Sequence, residues 1–166
     1  MRYWTGSVIV FMLALVQASS VQQFRILGVV PNLMLVFLAA WLVVRGLDDV
    51  LPMIGVAGVT LGLIGLQTPG LVLLALLPLA LFGFVREMHV VHSDVVLVLA
   101  LVAASTAAYE VVMFASVVAT GGSRDIVGAV TRDVAPAVVV NVALTLPVYA
   151  VMRLAKPTER RRRLAY

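Results

Sequence analysis

Cysteine is absent from the 166 residues, which excludes disulfides, iron-sulfur clusters and thiol chemistry. Charge is scarce as well: Asp, Glu, Lys and Arg make up 12%, about half of the ~25% that a soluble domain carries. With 63% hydrophobic residues and a mean hydropathy of +1.11, the chain has too little polar surface for a soluble fold, and no separate soluble domain fits into what remains. No nucleophile is paired with a base, and no glycine-rich loop is joined to a phosphate-binding lysine, so nothing in the residues argues for an enzyme or for a cofactor. The net charge of +4 sits mostly at the end of the chain, where it reports orientation and contact with anionic lipid rather than nucleic-acid binding.

What the chain has in abundance is long apolar runs. The run from Val134 to Met152 is apolar except for Asn141 and Thr145, long enough to cross a hydrocarbon core of ~30 Å at ~1.5 Å per residue. Counting back from it, the other runs are Gly6 to Val21, Pro31 to Val44, Leu51 to Leu66, Leu71 to Val85 and Asp94 to Ala119. Gln17 interrupts the first run and no clear small-residue cleavage site follows it, so it reads as a retained span rather than a signal peptide. The expected fold is an all-α integral membrane protein: a six-helix transmembrane bundle over residues 1–156, with a basic cytoplasmic tail over 157–166. Both termini are placed inside, because Arg2, Arg45, Arg86 and the six basic residues from Arg153 to Arg163 then face Arg25, Arg124 and Arg132 outside, nine against three. Arg160, Arg161, Arg162 and Arg163 lie at the membrane surface in this arrangement. The second, third and fourth runs are ~15 residues each, short for a crossing, so either the bilayer thins there, flanking residues extend the helices, or the third and fourth runs form a re-entrant hairpin.

Polar groups inside the runs are the candidates for function. Glu110, beside Tyr109, is an ionisable residue within a span, costly and by default functional. Gln17 and Asn141 fall at a similar depth in the outer half, which suggests one buried hydrogen-bonded cluster of Gln17, Glu110 and Asn141. Such a cluster either holds helices together or forms a ligand or proton site, and the absence of a second carboxylate or buried base beside it favours the first. Gly55, Gly58, Gly62 and Gly65 fall at steps of three, four and three on one stripe of a helix, a smooth seam for close packing against this chain or another subunit. Ala14 and Ala18 form a weaker small-residue pair with the same two readings. His89, His92 and Asp94 are too few for a zinc site, which takes four ligands, and read as a solvated link with no metal. Asp48 and Asp49 read as a solvated turn. Residues from Thr120 to Asp133 read as a polar loop whose apolar patch, Ile126 to Val130, lies on the outer membrane surface.

Several short stretches resemble one family. The end of the first run, Leu15-Val16-Gln17-Ala18-Ser19-Ser20, is followed by Gly28-Val29-Val30-Pro31-Asn32-Leu33 and a glycine-rich third run after an Arg45-Gly46 turn. The chain closes on Asn141 to Tyr149 and then arginines. In this order they resemble MreD, the rod shape-determining membrane protein, over the first 66 residues and about the last 30. Many relatives carry an acidic residue where Gly65, Leu66 and Gln67 stand here, so no role of that carboxylate carries over. The resemblance implies a non-enzymatic subunit of the bacterial inner membrane that docks MreC and works with RodA, its penicillin-binding transpeptidase and MreB. It also implies a fold similar to the substrate-binding components of energy-coupling-factor transporters, where Ala14 and Ala18 fit the small-residue contacts of the first helix. The rival expectation is therefore a substrate-binding subunit of a vitamin-type transporter, with an outward aqueous pocket.

Overall fold

A computed structural model describes residues 2–19, 24–65, 68–87, 93–122 and 125–155; for residues 2–5 and 85–87 it describes the backbone alone. The helices are α1 (Arg2–Ser19), α2 (Leu33–Arg45), α3 (Leu47–Ile64), α4 (Pro69–Glu87), α5 (Asp94–Ala119) and α6 (Ile126–Leu154). Among the described residues every regular element is helical, apart from an isolated bridge between Ile26 and Val29. Helices α3, α5 and α6 are long and apolar enough to cross a membrane.

Helix α2 lies at the centre and packs against all five of the others. Its thirteen residues, LMLVFLAAWLVVR, carry no charged side chain before Arg45, and a helix that is apolar all round suits a core or a membrane span; its packing on every other helix puts it in the core. Met34, Leu35, Val36, Leu38, Ala39 and Leu42 are accordingly 0 to 1% exposed. Gly46, at φ 109°, adopts a backbone conformation open to glycine and lets the chain turn directly from α2 into α3. The first turn of α3 then carries Asp48 and Asp49, whose charges suit a helix N-terminus. These two residues are thus helical, and Asp49 is buried at 5% exposure, where the sequence suggested a solvated turn.

The third and fourth helices are 18 and 19 residues long, longer than the apolar runs alone suggested, because Leu47 to Val50 and Pro69 to Gly70 join them. The helix with little length is α2, about 20 Å at ~1.5 Å per residue. The final helix also starts earlier than expected. Asp125 caps it, its two carboxylate oxygens accepting from the N–H groups of Val127 and Gly128 at 3.2 and 2.9 Å. The helix then runs through a π-helical stretch, Val130–Val134, into Ala135–Leu154. Most of the expected polar loop, including Arg132 and Asp133, is therefore helix, and the patch Ile126 to Val130 is its first turn.

Burial along α5 changes halfway. Leu97, Val98, Leu101, Val102, Ser105 and Thr106 are buried, and no residue after Thr106 is. Helix α2 starts level with Thr106, since Asn141 of α6 bonds both Thr106 and the backbone of Asn32. From there α2 runs alongside α6, with Phe37 beside Val148 and Met152. Beyond Thr106, α5 continues for about 20 Å alongside α6, past the start of α2.

Candidate functional site: the polar cap of the central helix

The start of a helix leaves backbone N–H groups without intrahelical partners, and inside an apolar bundle each needs another acceptor. Three side chains supply them at α2. The Asn32 side chain accepts from Leu35 N at 3.0 Å, Gln17 Oε1 accepts from Leu33 N at 3.0 Å, and Asn141 Oδ1 accepts from Asn32 N at 2.9 Å. Gln17 Nε2 also donates to the Pro31 carbonyl at 2.8 Å, so one amide brackets the chain on both sides of Asn32. Asn141 Nδ2 donates to Thr106 Oγ1 at 3.2 Å, and the Thr145 hydroxyl donates back to the Asn141 carbonyl at 2.7 Å. Asn141, Thr106 and Thr145 are 0 to 1% exposed. The cap ties α1, α2, α5 and α6 together at one level. Its groups are neutral amides and hydroxyls that satisfy one another, an arrangement suited to holding helices in register.

Of the three residues expected to cluster, Gln17 and Asn141 meet here, through the backbone of α2 rather than side chain to side chain. Glu110 does not join them. It sits one turn beyond Thr106 and lines a cavity of about 80 Å³ between α5 and α6, with Met113, Phe114, Val117, Ala129, Asp133 and Val134. The second carboxylate in that cavity, Asp133, comes from the π-helical stretch. Thr106, Thr145 and the Asn32 cap were not singled out from the sequence. Their signal was there: Thr145 stands one turn after Asn141, and Ser105-Thr106 breaks an otherwise apolar stretch.

The glycine seam is used within the chain. A Cβ at Gly62 would collide with the backbone of Pro69, and one at Gly58 with Leu73, so both glycines admit the close approach of α4. Gly65 faces its own Leu61 carbonyl, and Gly55 has open space. Ala14 is fully buried in the core, and Ala18 is half-buried. Ala14, Gly58 and Gly62 are thus occupied inside this chain. Arg160, Arg161, Arg162 and Arg163, with His89 and His92, lie outside the described residues. Among the described residues no three of His, Cys, Asp or Glu come together. Comparison with family models, curated proteins and solved structures finds no match.

Proposed function

We propose that this chain is a non-enzymatic scaffold subunit of the bacterial cell-elongation machinery. In this reading it is an MreD-type inner-membrane protein that crosses six times, keeps both ends cytoplasmic and docks MreC. RodA with its penicillin-binding transpeptidase, and MreB on the cytoplasmic side, complete the assembly. The observation that carries the reading is the half of the α5–α6 hairpin that extends past the end of α2. Up to Thr106 the core face of α5 is buried. Beyond it the same face, through Tyr109, Met113 and Ser116, is partly buried, with Tyr109 and Met113 packed on the edge of the core. Val111, Val127, Val130 and Val139 add apolar surface on the two helices, at 51 to 70% exposure. An apolar helix pair that extends past the end of α2 offers lateral surface to a helix of another subunit.

The transport reading has less support. Its pocket belongs in the outer half, where the cavity at Glu110 and Asp133 is about 80 Å³ and the open cleft along Asp125, Arg132 and Asp133 about 250 Å³, both below the ~300–1,000 Å³ of a site that encloses a small ligand. At the level below, the amides of Gln17 and Asn141 are spent on the α2 backbone rather than turned towards a guest. Co-expression with the MreC of the same genome, followed by purification in detergent, tests the proposal. A one-to-one complex that survives gel filtration is expected. A chain that elutes alone with a vitamin-sized molecule bound would overturn the scaffold reading in favour of transport.

A further inference from the structure

Two carboxylates from different helices, Glu110 of α5 and Asp133 of α6, line one cavity of about 80 Å³. Both side chains are partly buried, and the remaining walls are apolar: Met113, Phe114, Val117, Ala129 and Val134. Asp133 comes to this place from the π-helical stretch Val130–Val134, a wider turn of a kind that concentrates at functional sites. Asp133 and Ala129 also line the open cleft of about 250 Å³, together with Asp125, Gly128 and Arg132. Asp133 therefore stands between the two spaces, and a proton that enters the cleft meets it before Glu110.

The charged groups around the pair are set apart from it. Arg132 and Asp125 line the cleft and not the cavity, and Tyr109 adjoins Glu110 on α5 at the edge of the core. Helices α2 and α4, which also pack on α5, have no ionisable residue before Arg45 and Arg86, near their ends away from the cavity. Two like charges in a small apolar space repel with little water to screen them, and holding one proton between the two carboxyl groups removes the repulsion. We propose that Glu110 and Asp133 share one proton at neutral pH and so latch α5 to α6, and that alkaline pH on the cleft side opens the latch. In the latched state the protonated carboxyl donates to the other carboxylate. When the proton passes through Asp133 to water in the cleft, two negative charges face each other and the first turns of α6, Ile126 to Val134, move off α5. The latch is built into this chain and is independent of which protein the hairpin meets.

Infrared spectroscopy of the full chain in detergent, titrated from acid to alkaline pH, tests it together with hydrogen–deuterium exchange on the same samples. At neutral pH the wild type is expected to show the carbonyl stretch of a protonated carboxylic acid, and Glu110→Gln to lack that component. Glu110→Gln keeps a donor towards Asp133 but no titrating proton, so it holds the latched arrangement at every pH. In Asp133→Asn the remaining carboxyl is expected to bind its proton about ten-fold more weakly, the effect of losing one nearby like charge. Exchange over Ile126 to Val134 is expected to run faster in the wild type than in Glu110→Gln at alkaline pH and to match it at acid pH. Identical infrared spectra of wild type and Glu110→Gln at neutral pH would overturn the proposal, as would a carboxyl band whose titration is unchanged in Asp133→Asn. Equal exchange in wild type and Glu110→Gln at every pH would also overturn it.

Discussion

On one side of Thr106, α5 lies against α2 and buries a regular stripe of Leu, Val and Ser; on the other, the same helix keeps its apolar composition, runs alongside α6 past the start of α2, and buries no residue fully. Composition does not separate these halves, since both are rich in Ala and Val. What separates them is α2, which begins at the polar cap and fills the space on one side alone. The enclosed half behaves as a core, where each buried group must be matched. The outreaching half has partly buried faces and a cavity lined by two carboxylates, Glu110 and Asp133. Sensitivity to substitution should divide at the same level.

The largest effect is expected at the cap. Asn141→Leu removes two hydrogen bonds and leaves the part-buried Asn32 N–H and the buried Thr106 hydroxyl without their Asn141 partner, a loss of about 3 kcal/mol by thermal unfolding in detergent. An unchanged melting temperature would mean that the cap does not hold these helices together. Next comes Gly62→Ala, expected to cost about 2 kcal/mol because the Pro69 backbone has to move, while Gly55→Ala on the same helix stays within about 0.5 kcal/mol. Equal effects at both glycines would contradict the α3–α4 packing. Asn32→Ala is expected to cost about 1 kcal/mol, the usual worth of an N-cap. Smallest is Glu110→Gln in the outreaching half, expected to leave the melting temperature within error and complex formation with MreC intact. Loss of MreC binding in a well-folded Glu110→Gln protein would move the functional centre from the apolar faces to the carboxylate.

Much of the architecture was legible in the residues. The fifth helix, Asp94 to Ala119, was read with both ends in place, because its charged and polar flanks stand out against an unbroken apolar run. Asp125 and Arg132-Asp133 hid the start of the last helix. Polar residues at an apolar run's edge read as loop, although a helix that continues into water carries them at no cost. The central place of α2 was also hidden. In a soluble protein an all-apolar helix signals a core, but here every run is apolar, so the pattern does not distinguish a buried helix from a lipid-facing one. For the candidate site, residue counting placed Gln17 and Asn141 at one depth. It could not show that their shared partner is backbone, at Pro31 to Leu33, or that Glu110 stands one turn away on the cavity with Asp133.

The most direct measurement is a photo-crosslinking scan along α5, made in membranes that contain MreC. Benzophenone groups at Val96 and Ala100, in the half flanking α2, are compared with groups at Tyr109, Val112 and Ser116 beyond the cap. The expected result is protein adducts with MreC at the three outer positions and lipid adducts alone at the two inner ones. Adducts of equal yield along the whole helix, or none to protein beyond Thr106, would contradict the division into an enclosed half and a docking half.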